Sequence, residues 1–243
     1  MRKIFMRAVA FAGKCVIIFC NCSVPLQLYY FTIYSRRRAG WRRGGIMTES
    51  IPEEMSPLWD IYNDGFPDFL AELLEAEELQ RLKKVGMHCG CEYSSFPLFR
   101  FSSPYTRWIH SVGAGLIVWH FTFDVKQSIA GLLHDIATPV FAHVVDFMKG
   151  DHLKQESTEE YTRKLIEESE GIQKVLHKYG LSTEDVADYH RYPIADNDSP
   201  GLSADRLEYT LGNFYCREKK SPGEIRRIYR NLTTVLNEEG IPE

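Results

Sequence analysis

Apolar residues after Met47 recur at three- and four-residue steps, and this spacing limits the folds open to the chain more than any other feature. In FPDFLAELLEAEELQRLKKVG, residues Phe66, Phe69, Leu70, Leu73, Leu74, Leu79 and Leu82 share one helical face. TRWIHSVGAGLIVWHFT repeats the pattern with Trp108, Ile109, Val112, Leu116 and Trp119. KQSIAGLLHD and PVFAHVVDFMKG read as short apolar helices, with Pro139 suited to a first turn. Ser157 or Thr158 is placed to cap the acidic start of STEEYTRKLIEESE, and further helices run through LSTEDVADYH and GEIRRIYRNLTTVL. PLFRFSSPYT and YPIADNDSPG read as loops from their Pro, Ser, Asn and Gly. No internal repeat and no alternating strand series appears, so a helical body is expected.

The first 46 residues differ in character. Up to Met47 there are nine basic side chains and no acidic one, which leaves twenty basic against thirty-three acidic groups in the rest. An acidic body argues against broad nucleic-acid binding, which needs a basic surface. Cys15 to Tyr34 carries no charge and precedes SRRRAGWRRGG, so a membrane anchor through residues 15–34 is one reading. Asn21, Ser23, Pro25, Gln27 and Thr32 make that span a poor one, and a start of translation at Met47 is the other reading. The expected organisation is an extension over 1–46 and one functional domain over 47–243. The six cysteines form no disulfide framework, which suits a reduced, cytoplasmic protein.

Five of the eight histidines fall between His110 and His152, and this places the chemistry in the middle of the chain. His120, His177 and His190 read as ordinary structural histidines. His134 differs because Asp135 follows it directly. Neighbours on a helix point about 100° apart, so both reach one ion only from a bent helix end, which GLLHDIATP supplies. Imidazole with carboxylate suits a divalent ion of the Mn, Fe, Co, Ni, Zn or Mg group.

Upstream stands RWIHSVG with Arg107 and His110; downstream stands ADRLEY with Asp205. This ordered H…HD…D set resembles the HD-domain metal-dependent phosphohydrolases. QRLKKVG (Gln80 to Gly86), RWIHSVG, GLLHDIATPVFAH and ADRLEY together resemble most closely the deoxynucleoside triphosphate triphosphohydrolase branch, which includes the bacterial dGTPases. The resemblance covers most of Met47 to about Tyr215. It implies an all-α HD-domain helical bundle with one divalent metal ion between helices, held by His110, His134, Asp135 and Asp205. It further implies that metal-activated water attacks a small phosphorylated substrate of nucleotide type. Arg107, Arg206, Tyr209 and Thr138 would meet the substrate, and His152 with Asp146 and His143 would handle protons. A homo-oligomer is compatible with the family.

Three departures from the family pattern stand out. Ala137 and Thr138 stand where a glycine and a triphosphate-contacting histidine are usual. Met87 replaces a sugar-reading glutamine, and Asn213 stands where a carboxylate is common. The metal ligands are complete while the deoxynucleotide-reading elements are altered, so a related phosphate ester is also open as substrate. The alternative function is a non-hydrolytic nucleotide sensor using the same pocket. NEEGIPE ends abruptly, and the expectation is a short or truncated version of the family domain.

Overall fold

The computed structural model describes residues 7–11, 14–18, 56–97, 105–142, 144, 160–198 and 201–242. In the extension, strands Arg7–Phe11 and Lys14–Ile18 pair antiparallel, with Arg7 opposite Ile18. The rest of the sequence considered above as a membrane anchor lies outside the described residues. Among the described residues no helix is long and apolar enough to cross a membrane.

From Ser56 onward the fold is all-α. The described elements are α1 (Ser56–Tyr62), α2 (Asp68–Leu73), α3 (Glu77–Arg81), α4 (Arg107–Thr122) and α5 (Val125–Leu133). These are followed by α6 (Glu160–Glu168), α7 (Glu170–Lys178), α8 (Thr183–Val186), α9 (Ala204–Cys216) and α10 (Pro222–Tyr229). The long periodic stretch from Phe66 is broken into two helices because Ala76 takes an extended backbone conformation, and Glu77 and Glu78 then open α3 at its positive end. Ser182 with Asp185 and Ser221 with Glu224 form capping boxes that start α8 and α10. The helix expected to follow Pro139 and the Ser157/Thr158 cap lie largely outside the described residues.

Helix α4 is the axis of the bundle. Every residue from Arg107 to Val118 is buried, so it has no solvent face over three turns. The Thr106 side chain accepts from the Ile109 amide and starts the helix; Phe123, in the left-handed region, ends it. Asp124 then caps α5 by accepting from the Lys126 and Gln127 amides, so the two helices form a tight hairpin. Trp59, Leu70, Leu79, Leu82, Trp108, Val112, Ile129 and Leu132 belong to the core that α4 organises.

The α4–α5 approach is close because glycine faces the partner helix from both sides. A Cβ at Gly115 would lie 3.1 Å from the Leu132 Cβ and 3.2 Å from the Ser128 carbonyl oxygen, and one at Gly131 would lie 2.9 Å from a Val118 methyl. The Ser128 hydroxyl donates to the Gly115 carbonyl at 2.8 Å across the same crossing. The expected outcome for Gly115→Val is a destabilisation of about 1–3 kcal/mol from overpacking. It would be read as a lower urea midpoint at unchanged m-value, and an unaltered midpoint would contradict this packing.

Candidate metal centre

Three helices bring the expected ligands together. His110 lies in the first turn of α4, His134 is the residue at which α5 stops, and Asp205 stands in the first turn of α9. Beyond Leu133 the chain turns, with Ile136 N–H donating to the Leu133 carbonyl and Thr138 N–H to that of Asp135. This is the bent terminus that lets His134 and Asp135 face one point. The Ser203 side chain caps α9, and the Ala204 and Asp205 amides donate to the Ile194 and Ala195 carbonyls, so the loop holds Asp205 in place.

Nitrogens and oxygens converge tightly. His110 Nε2 lies 3.2 Å from His134 Nε2 and 2.9 Å from Asp205 Oδ1. His134 Nε2 lies 3.6 Å from the same Asp205 oxygen, and the three ligand atoms fall within 4.8 Å of one another. Asp135 Oδ2 is 3.6 Å from His110 Nε2 and 3.5 Å from His134 Nε2.

The opposite ring nitrogens are already engaged. His134 Nδ1 is 2.7 Å from the Gly131 carbonyl oxygen, and His110 Nδ1 is 2.6 Å from Glu208 Oε2. Both partners only accept, so each neutral ring carries its hydrogen on Nδ1 and turns a lone pair on Nε2 toward the other. Two lone pairs at 3.2 Å, with two carboxylate oxygens beside them, are compatible only with a proton or a cation between them. Charge agrees: three carboxyl groups, Asp135, Asp205 and Glu208, gather around the two histidines, while the Arg107 guanidinium pairs with Asp135. The donor set fits a divalent ion.

Without the ion, protons take its place. Burial opposes charging His110, but hydrogen bonds to Asp205 and Glu208 and their negative charge outweigh it and raise its pKa to about 10. His134 is raised as well: burial works against it, and Asp135 and Asp205 overcome the burial. Burial pushes the Asp135 carboxyl up, yet Arg107, the two histidines and the Thr138 hydroxyl hold it well below the usual carboxylate range. Asp205 is depressed against its burial by hydrogen bonds from the same histidines.

The remaining expected residues divide into three groups. Arg107 is buried beside the cluster, with Nη1 donating to Asp135 Oδ2 at 2.6 Å and Nε buried without a partner among the described residues. Thr138 is buried, and its hydroxyl donates to Asp135 Oδ1 at 2.7 Å. Arg206, one residue after Asp205, is turned to its own loop. Its guanidinium donates to the Gly201 carbonyl at 2.8 Å, to the Asn197 carbonyl and side chain, and pairs with Asp196 at 3.2 Å. Tyr209 is exposed. His143, Asp146 and His152 lie outside the described residues.

Two residues that the sequence reading missed belong to the centre. Arg81 on α3 donates to the Ile136 and Thr138 carbonyls at 2.7 and 3.0 Å and so ties down the turn after the ligand pair. Glu208 is fully buried behind His110. Its signal was present: a carboxylate three residues after Asp205, on the same helical face and flanked by the apolar Leu207 and Leu211.

No protein-family profile and no solved structure matches this chain. Among curated proteins it is 35% identical over 147 residues to the uncharacterized protein YdhJ of Bacillus subtilis, covering 60% of this chain and 43% of that protein. It is 28% identical over 182 residues to the uncharacterized protein MJ1154 of Methanocaldococcus jannaschii, covering 72% of this chain and 36% of that protein. The third relative is the metal-dependent phosphohydrolase cns2 of Cordyceps militaris, 29% identical over 163 residues. The chain spans less than half the length of each of these relatives. Over 67% of its own length, then, this chain is similar to a protein named a metal-dependent phosphohydrolase, and it carries a His–His–Asp donor set suited to a divalent ion.

Proposed function

We propose that this protein is an HD-type metal-dependent phosphohydrolase, akin to the deoxynucleoside triphosphate triphosphohydrolases, that cleaves a nucleotide or a related phosphate ester. The observation that carries the proposal is the meeting of the His110 Nε2, His134 Nε2 and Asp205 Oδ1 atoms within 4.8 Å, with both Nδ1 atoms committed elsewhere. His110, His134, Asp135 and Asp205 would hold the ion. A divalent ion in such a site lowers the pKa of water and neutralises charge developing on phosphorus.

The chain's own residues do the rest. Arg107 brings a fixed positive charge to the edge of the cluster, and its buried Nε is a donor suited to a phosphoryl oxygen. Thr138 and Arg81 hold the ligand turn rigid, which keeps Asp135 aimed without reorganisation. Arg206 acts through the 196–201 loop, whose shape sets the start of α9 and so the place of Asp205. His152, with Asp146 and His143, is the proposed group for handling protons.

The substrate is of nucleotide type with an altered reading of its sugar. Met87 packs against the core, and the neighbouring His88 meets Asn213 at 3.3 Å. Two of the three departures from the family pattern thus border one contact between the 87–93 segment and α9. This favours a related phosphate ester beside the deoxynucleoside triphosphates themselves.

The test is the purified full chain with metal content measured, then Mn²⁺ and a panel of deoxynucleoside triphosphates, nucleoside monophosphates, cyclic nucleotides and phosphomonoesters. Turnover of one class is expected, and His134→Ala or Asp135→Ala should lose at least 10²-fold in kcat/KM together with the metal. Full turnover in either variant would refute the proposal, while bound nucleotide without product would favour the sensor. A second expectation concerns pH. In the metal-free protein, stabilisation by protonated His110 is complete below the ordinary imidazole value of 6.5 and is lost as pH rises toward about 10. Stabilisation by ionised Asp135 is present above the ordinary value of 3.8 and is lost as pH falls below it. Mn²⁺ competes with the histidine protons, so the thermal shift on adding Mn²⁺ should grow with pH over the alkaline part of that interval. A shift independent of pH would contradict proton–metal competition at His110.

A further inference from the structure

Glu208 is an expensive residue to bury. A carboxylate taken out of water is tolerated only when its oxygens are satisfied, and a well-packed apolar side chain in the same volume is often as stable or more so. The protein nevertheless builds a cage for it from three other elements. Oε2 accepts from the Tyr105 hydroxyl at 2.5 Å and from His110 Nδ1 at 2.6 Å, and Oε1 accepts from the Tyr62 hydroxyl at 3.3 Å. The Tyr62 carbonyl is in turn held by the Tyr229 hydroxyl at 2.9 Å, so α10 braces the cage from behind.

Two glycines make the room. A Cβ at Gly113, one turn beyond His110 on α4, would lie 2.6 Å from Glu208 Cγ and 2.7 Å from its Oε1. A Cβ at Gly212, one turn beyond Glu208 on α9, would lie 2.2 Å from the Tyr105 hydroxyl oxygen. Any side chain at either position would push the carboxylate or its tyrosine off His110. Two tyrosines and two glycines therefore keep one charge against one ring nitrogen, and core stability alone does not call for that.

We infer that Glu208, seated by Tyr105 and Tyr62, is a positioning residue for the metal: it keeps the His110 hydrogen on Nδ1, aims Nε2 at the ion and strengthens it as a donor. The inference rests on the metal reading of the cluster. Glu208 touches neither the ion nor the substrate, so its effect should appear in metal affinity before it appears in turnover.

The experiment titrates Mn²⁺ alone into the full chain after chelation, by calorimetry, and records the visible spectrum of the Co²⁺-loaded protein. Glu208→Gln preserves shape and an acceptor for Tyr105 and His110 while removing the charge. It should melt cooperatively in chelator, bind Mn²⁺ about 10–100-fold more weakly, and shift the Co²⁺ bands. Tyr105→Phe removes one donor from the cage and should weaken Mn²⁺ several-fold; it decides the matter should Glu208→Gln fail to fold. A wild-type protein that binds Mn²⁺, with foldable variants that bind it equally well and give the same Co²⁺ spectrum, would overturn this inference alone. A wild-type protein that takes up neither metal would overturn the metal reading, and this inference with it.

Discussion

Two imidazole nitrogens held lone pair to lone pair at 3.2 Å are the constraint around which this molecule is arranged. Left alone they repel, and each ring would rotate or take up a proton. Neither rotation is open, because the Gly131 carbonyl holds one Nδ1 and Glu208 holds the other. The unfavourable approach is thus imposed by hydrogen bonds on the far side of each ring, and a cation relieves it. Pre-organisation of this kind places the cost of assembling the site in folding, so binding an ion requires little rearrangement.

That constraint reaches into the helix packing. His110 and His134 belong to the two helices of one hairpin, and their rings meet only because Gly115 and Gly131 let α4 and α5 close on each other. The third ligand comes from α9, which packs against α4 and brings both Asp205 and Glu208 from a single helical face. One helix therefore supplies both the acidic group beside the two Nε2 atoms and the acidic group that holds His110 Nδ1. Arg81 and Thr138 hold the turn that carries Asp135, so all four candidate ligands are anchored by contacts outside the cluster.

The parts of the fold that were readable from sequence are those governed by local physics. Apolar periodicity marked α4 and α5, LSTEDVADYH and GEIRRIYRNLTTVL marked the neighbourhoods of α8 and α10, and the HD and ADRLEY motifs marked residues that the fold brings together. The break at Ala76 was invisible, since its flanks keep helical spacing and only the backbone turn separates α2 from α3. Arg206 shows the same limit from the side of function. Its place next to Asp205 suggests a phosphate ligand, yet its guanidinium is occupied by Asp196, Asn197 and Gly201. A long side chain reaches whatever acceptors tertiary structure places around it, and sequence spacing says little about which those are.

By itself the sequence determined that the body is helical and that two histidines and two aspartates of H…HD…D spacing are present, because helix periodicity and ligand chemistry are properties of neighbouring residues. Only the tertiary structure decided which nitrogen of each histidine faces the centre and that a buried carboxylate with two tyrosines stands behind one of them. It also decided which arginine remains beside the cluster. Those outcomes depend on partners far apart in the chain, such as Glu208 meeting His110 across 98 positions, and on hydrogen-bond demands that exist only once both groups have left water.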